Sequence, residues 1–137
     1  MSDCVFCDIV ADQAPAQIIE RTADTFAFMD INPATDGHLL VIPVRHVTDI
    51  WEATGDELAV MGQTTHRLAE VIRTALAPDG LNLLQCNGVA AFQSVFHLHT
   101  HLIPRWTTDT ISLPWVPAPG DPARIATVAD RIRAARD

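Results

Sequence analysis

The chain has 137 residues, 48% of them hydrophobic, and a formal net charge of -8, with nine cations and 17 carboxylates. All nine cations are arginine; the chain has no lysine. Such length and apolar content suit one domain, residues 1–137, with its own core. The charge excludes nucleic-acid binding by bulk positive potential, and the missing lysine excludes a P-loop or Schiff-base lysine. No basic-then-apolar leader is apparent and no apolar run nears the ~18 residues of a membrane span, so a soluble, cytoplasmic protein is expected.

In chain order, Cys4 to Ala11 reads as one or two helical turns carrying Phe6 and Ile9. Gln17–Arg21 and Thr25–Ile31 read as short strands around a turn at Ala23-Asp24. Asn32–Gly37 is loop chemistry, and His38–Val44 an apolar strand buried on both faces. Thr54 and Glu57 form a capping box that opens a long helix. Leu58, Met61, Thr65, Leu68, Ile72 and Leu76 make its inward stripe, and Pro78-Asp-Gly80 stops it. Leu81–Cys86 returns as a strand ending at Asn87-Gly88, with Cys86 read as a buried small hydrophobe. Phe96–Ile103 is the last strand, closed by Pro104. Asp121-Pro122 caps a final helix with Ile125, Val128, Ala129 and Ile132 inward. This order predicts an α+β fold: an antiparallel sheet of about five strands, one long helix and one C-terminal helix.

Six histidines are many for this length, and His97, His99 and His101 alternate. On one straight strand they share a face, ~6.6 Å between neighbours and ~13 Å end to end. Three rings so spaced converge poorly on one ion. A division of labour is expected instead: one outer ring binds at its own end, the middle one meets substrate and the last assists it. A neutral imidazole is a good nucleophile toward phosphorus and shuttles protons near neutral pH. Upstream, Asn87-Gly88, Gln93 and Ser94 offer neutral donors for an anion. Cys4-x-x-Cys7 has the spacing of half a metal site; a reduced pair is the bland alternative, and a redox pair lacks a surrounding βαβ unit.

The run His97-Leu-His99-Thr-His101-Leu-Ile103, led by Gln93-Ser94-Val95-Phe96, resembles the histidine triad (HIT) family. Phe28-Met-Asp30-Ile31-Asn32-Pro33 and Gly37-His38-Leu-Leu-Val-Ile-Pro43, followed by His46, resemble its N-terminal half. The resemblance implies a HIT-like fold and a nucleotidyl hydrolase or transferase acting on a purine nucleotide or dinucleotide, a phosphoramidase or a dinucleoside polyphosphate hydrolase. His99 is then the nucleophile on the α-phosphorus, with water resolving the nucleotidyl-histidine. His101 and Ser94 contact phosphate, His101 as the proton donor to the leaving group, and His38 supports the cluster. Asn87 and Gln93 hold phosphate or leaving group, Asp30 accepts from the ribose hydroxyls, and Phe6, Ile9, Phe28 and Ile31 line the base. The resemblance further implies a structural zinc on Cys4, Cys7, His46 and His97, and a homodimer.

Two positions depart from the family pattern. Thr100 stands where an apolar residue is usual, and Ala91-Phe92 replaces a glycine-rich approach, so Phe92 is expected to narrow the phosphate loop or fill the pocket. Competing readings are a nucleotide-binding regulatory module with little turnover, for which Phe92 speaks, and a metal-dependent hydrolase using the histidines as ligands. Pro104-Arg105 points to the dinucleotide-polyphosphate branch.

Overall fold

Alternating side chains and well-placed chain breakers produce five strands and three helices, seen in a computed structural model that describes residues 2–136. They are α1 (Val5–Val10), β1 (Ile18–Arg21), β2 (Thr25–Met29), β3 (Leu39–Pro43), α2 (Gly55–Leu76), β4 (Gly80–Gln85), β5 (Thr100–Arg105) and α3 (Pro122–Ala134). The sheet order is β1-β2-β3-β5-β4, and every pairing is antiparallel. No helix among the described residues is long and apolar enough to cross a membrane.

The two faces of the sheet are sorted by strand alternation. Phe26 and Phe28 of β2, with Leu40 and Ile42 of β3, pack under Phe6 and Ile9 of α1. Ala27, Leu39, Val41 and Leu102 face the other way, onto Leu68 and Ile72 of α2. Both faces of β3 are therefore covered, and all five of its residues are buried. Each such aliphatic or aromatic side chain contributes about 1.5–3 kcal/mol through lost water contact. A buried hydroxyl pair, Thr25 Oγ1 to Thr64 Oγ1 at 2.9 Å, ties β2 to α2 without leaving either group unpaired.

The expected capping box at Thr54 and Glu57 is present in both directions, and α2 ends at Ala77 in the left-handed region (φ 47°). Along its stripe Met61, Thr65, Leu68 and Ile72 are buried, whereas Leu76 is 41% exposed. Gly37 has φ +85°, and a Cβ there would lie 2.3 Å from Leu76 Cδ1. Only glycine lets the loop before β3 pass the end of α2 in this conformation.

Three expectations are corrected. The last strand is Thr100–Arg105 rather than Phe96–Ile103. Residues before Thr100 leave the ladder because Leu98 N–H donates to Val47 O (2.7 Å) and the His97 ring turns toward Pro43. Pro104 sits inside the strand opposite Leu81, and its carbonyl accepts from Thr35 Oγ1. α3 forms with its Asp121 cap, but its apolar stripe does not face the core: Ile125 is 59% and Ile132 63% exposed, and no α3 residue is buried. The middle strands β2 and β3 are already covered on both sides, by α1 and α2. Cys86 is only partly buried, at the end of β4.

Candidate functional site

The sharp bend between Val95 and Leu98 gives the three alternating histidines different surroundings. His97 is fully buried, and its ring lies against that of His46, with centroids 5.0 Å apart. Its Nε2 lies 2.8 Å from Pro43 O, and a carbonyl only accepts, so Nε2 carries the proton and Nδ1 presents its lone pair. That lone pair is 3.5 Å from both Cys4 Sγ and Cys7 Sγ and 3.2 Å from His46 Nδ1. Cys7 Sγ is in turn 3.4 Å from His46 Nδ1. The four donors lie within 4.8 Å of one another and could hold a metal ion. Burial, together with the Cys4 thiol beside it, raises the Cys7 thiol to about 11.

His99 is oriented by main chain. Its Nδ1–H donates to His97 O at 2.7 Å, which leaves Nε2 unprotonated in the neutral ring. Phe6 packs edge-on against that ring, with centroids 5.2 Å apart at 88°, and also meets Phe28 at 5.1 Å. Burial holds His99 below the ordinary histidine pKa.

His101 belongs to a hydrogen-bonded series that begins outside the triad. Ala34 N–H donates to His38 Nδ1 (2.9 Å), which places the His38 proton on Nε2. That Nε2–H donates to His101 Nδ1 at 2.8 Å, so neutral His101 carries its proton on Nε2. Asp30 Oδ2 stands 3.4 Å from His38 Nε2 and 3.7 Å from His101 Nδ1. Burial first, then the neighbouring His99 and His38, lower His101 to about 4; His38 is also lowered by burial, against the pull of Asp30.

These groups border a cavity of about 320 Å³. Phe6, Ile9, Phe28 and Leu40 make its apolar end; Asp30, Ser94, His99 and His101 supply its polar side. An apolar hollow with a few convergent polar groups is the usual form of a small-molecule site. Ile31 lines the mouth and is 85% exposed, so it forms a rim rather than a wall.

Asn87 and Gln93 are engaged elsewhere and do not line this cavity. Asn87 Oδ1 accepts from Ile50 N–H and its amide donates to Gln85; Gln93 accepts from Gly88 N–H and donates to the Thr48 and Val95 carbonyls. Both side chains hold loops together beside the site. Phe92 is 82% exposed and lines no part of the cavity, so it neither fills it nor narrows it. Thr100 lies in β5, where its hydroxyl accepts from Gln85 Nε2. Arg105 is spent on Asp109, Asn82 and Ile111 O.

The sequence pattern brings Cys4, Cys7, His46 and His97 to one place, and His38, Asp30, His99 and His101 to another. Two features have no sequence signal: the Ala34 amide that sets the His38 tautomer, and the His97 carbonyl that sets the His99 tautomer.

Residues 11–108 match the HIT domain. Among curated relatives, the chain is 43% identical over 105 residues to Protein hit of Bacillus subtilis strain 168, covering 76% of this chain and 72% of that one. It is 33% identical over 130 residues to adenosine 5'-monophosphoramidase hnt1 of Schizosaccharomyces pombe, covering 94% and 95%. Among solved structures, SMU.412c from Streptococcus mutans UA159 superposes with a TM-score of 0.93 at 36% identity, covering 100% of this chain and 87% of that one. A Zn-bound histidine triad family protein from Mycobacterium smegmatis superposes with a TM-score of 0.77 at 36% identity, covering 98% of both. Together with the arrangement of His97, His99 and His101, the match over most of the sequence establishes that this chain belongs to the histidine triad family.

Proposed function

We propose that the protein is a nucleotidyl hydrolase or transferase that cleaves at the α-phosphate of a nucleoside phosphoramidate or dinucleotide polyphosphate. One observation carries the reading: the His99 Nδ1–H bond to His97 O leaves the Nε2 lone pair of a buried, neutral imidazole beside a nucleoside-sized hollow. The 33% identical fission-yeast relative is named as an adenosine 5'-monophosphoramidase, which supports the same chemistry.

In this mechanism the base enters between Phe6, Ile9 and Phe28, with Ile31 at the rim. Asp30 receives the ribose hydroxyls, and Ser94 and His101 Nε2–H donate to phosphoryl oxygens. His99 Nε2 attacks phosphorus. Phosphoryl charge beside the His38–His101 pair raises its proton affinity, so the pair takes up a proton from water. His101 Nε2 passes that proton to the leaving atom as its bond to phosphorus breaks. Water then displaces His99 from phosphorus, its proton returns to His101, and the nucleoside monophosphate leaves. Asn87 and Gln93 act by holding the loops that carry Ser94 and not by touching phosphate. Substituting His99→Gly tests the assignment: turnover of an AMP phosphoramidate is lost while AMP still binds. Wild-type turnover in that variant contradicts it.

We further propose that Cys4, Cys7, His46 and His97 hold a structural zinc. Zinc bonds of about 2.3 Å to sulfur and about 2.05 Å to nitrogen at tetrahedral angles give S···N edges near ~3.5 Å and an N···N edge near ~3.3 Å. The observed edges of 3.4–3.5 Å and 3.2 Å fit. The His97 Nε2–H bond to a carbonyl is the outer hydrogen bond that metal-bound histidines make. Bound there, zinc supplies a crosslink between α1 and the loop before β5. Zinc in the Mycobacterium smegmatis relative supports this reading.

A homodimer is the remaining part of the proposal. β4 is an edge strand carrying exposed Leu83 and Leu84, and a groove beside it is lined by Met61, Thr65, His66 and Ala69 of α2. A second copy placed on that edge would cover both, and Leu83→Lys is expected to leave a monomer in sedimentation or light scattering.

A further inference from the structure

Two groups among the described residues bring donor atoms close enough to hold a metal ion: Cys4, Cys7, His46 and His97, and Asp30, His38 and His101. In the second group His38 Nε2 lies 2.8 Å from His101 Nδ1, and Asp30 Oδ2 lies 3.4 Å from the first and 3.7 Å from the second. Zinc with nitrogen and oxygen ligands at about 2.0–2.2 Å and tetrahedral angles has edges of roughly 3.3–3.6 Å, so parting the two rings by about half an ångström would admit it. Asp30 and His101 both border the cavity of about 320 Å³, which gives an ion a way in. Spacing alone therefore does not keep metal away from the proton-carrying pair.

What differs between the two groups is the main-chain partner of the outer ring nitrogen. His97 Nε2–H donates to Pro43 O, so its Nδ1 lone pair faces the neighbouring donors. His38 is held the opposite way: its Nδ1 accepts from Ala34 N–H at 2.9 Å, and its Nε2 carries the proton. For Nε2 to bind a metal, that proton must move to Nδ1, donor facing donor with the Ala34 N–H, or be lost to leave an imidazolate anion. The amide is not free to turn aside. Its loop is tied by Asn32 N–H to Asp30 Oδ1 (2.8 Å), by Thr35 Oγ1 to Pro104 O (2.6 Å) and by His38 N–H to Thr35 O (3.2 Å). His38 itself is buried, where a donor left unmet is costly.

We propose that the Ala34 main-chain N–H is a metal-selectivity group: it bars zinc and similar divalent transition metals from Asp30, His38 and His101 and reserves that pair of rings for protons. The Pro43 carbonyl, of opposite polarity, leaves His97 open to metal. Metal and proton compete for one place, because an ion between His38 Nε2 and His101 Nδ1 displaces the proton shared there and stops the pair taking up another. Ala34 is thus a positioning residue that acts through His38. Its consequence for turnover rests on the nucleotidyl-transfer reading above, whereas the exclusion of metal does not.

The test removes that one N–H. An ester link between Pro33 and Ala34 exchanges it for an oxygen, which cannot donate, and Ala34→Pro removes it by a second route. Zinc is titrated into each full chain while nitrogen NMR of the histidine side chains follows His38 and His101 separately from His46 and His97. Wild type is expected to keep the His38 proton on Nε2, and zinc to reach His38 and His101 roughly ten- to a hundredfold more weakly than in the ester chain, the scale of one buried donor left unmet. In the ester chain the proton moves to Nδ1, and zinc at the pair inhibits turnover of an AMP phosphoramidate until a chelator is added. Zinc that perturbs His38 and His101 as tightly in wild type as in the ester chain overturns the proposal. So does a His38 proton that stays on Nε2 in both variants, or one that moves to Nδ1 with no gain in zinc affinity. The binding readout uses no substrate, so its failure and the failure of nucleotidyl transfer are told apart.

Discussion

His38 Nε2 lies 2.8 Å from His101 Nδ1, and the Ala34 amide fixes which of the two rings donates. The consequence is that His101 presents an N–H, not a lone pair, to whatever occupies the cavity. Replacing His38 by Ala removes the donor that enforces this tautomer. It is expected to lower kcat for an AMP phosphoramidate by roughly 10²-fold, the scale of one misplaced acid–base group, with a smaller change in KM. Steady-state kinetics of the variant check this; unaltered kcat would show that His101 needs no partner.

The histidine cluster also sets a pH dependence of folding. His101 is lowered to about 4, and His38 is lowered, both mainly by burial. In the unfolded chain each would titrate near ~6.5. Between those values the unfolded state binds more protons, so stability is complete above about pH 6.5 and declines as pH falls toward 4. Urea unfolding across that range should show a midpoint that is flat on the neutral side and drops on the acid side.

Metal content is the third measurement. The chain should carry about one zinc, and Cys4→Ser/Cys7→Ser should carry none. That variant frees α1, whose Phe6 packs edge-on against both His97 and His99. Nucleotide affinity is therefore expected to fall along with thermal stability. Because thiols must lose protons to bind metal, and Cys7 otherwise titrates at about 11, zinc affinity should rise with pH. Elemental analysis and competition with a chelator at two pH values read both effects.

Phe92 supplies a contrasting prediction. It sits at φ 70°, 82% exposed, at the end of a 3-10 turn spanning Val89–Ala91. A bulky residue there costs about 1 kcal/mol against glycine. Phe92→Gly should stabilise the fold by about that much and leave kcat/KM unchanged within twofold. A large gain in activity would mean that the ring does obstruct the site.

Much of this arrangement is legible in the sequence where local chemistry decides it. The Thr54–Glu57 box, the Gly37 loop and the alternation through Phe26–Phe28 and Leu39–Ile42 each act within a few residues, and each forms as expected. The separation of His97 from His99 and His101 is also expected, from the span of an extended chain. Its cause is different: a bend held by Val47 and Pro43, more than fifty residues upstream, rather than a straight strand. Long-range partners likewise decide which polar side chains face the cavity. Gln93 and Asn87 have the donor chemistry for phosphate, but Thr48, Gly88 and Ile50 claim them. The α3 stripe has the right period for burial, yet periodicity does not say whether a face is free to receive it.

The central claim is that His99 Nε2 forms a bond to phosphorus. The direct measurement is rapid quench of enzyme with an AMP phosphoramidate, followed by peptide mass spectrometry of the region around the triad. The account predicts one adenylyl group on His99 in the wild-type protein during turnover, and none in His99→Gly. Full turnover with no adduct at His99, or an adduct that persists on another residue in the variant, would contradict it.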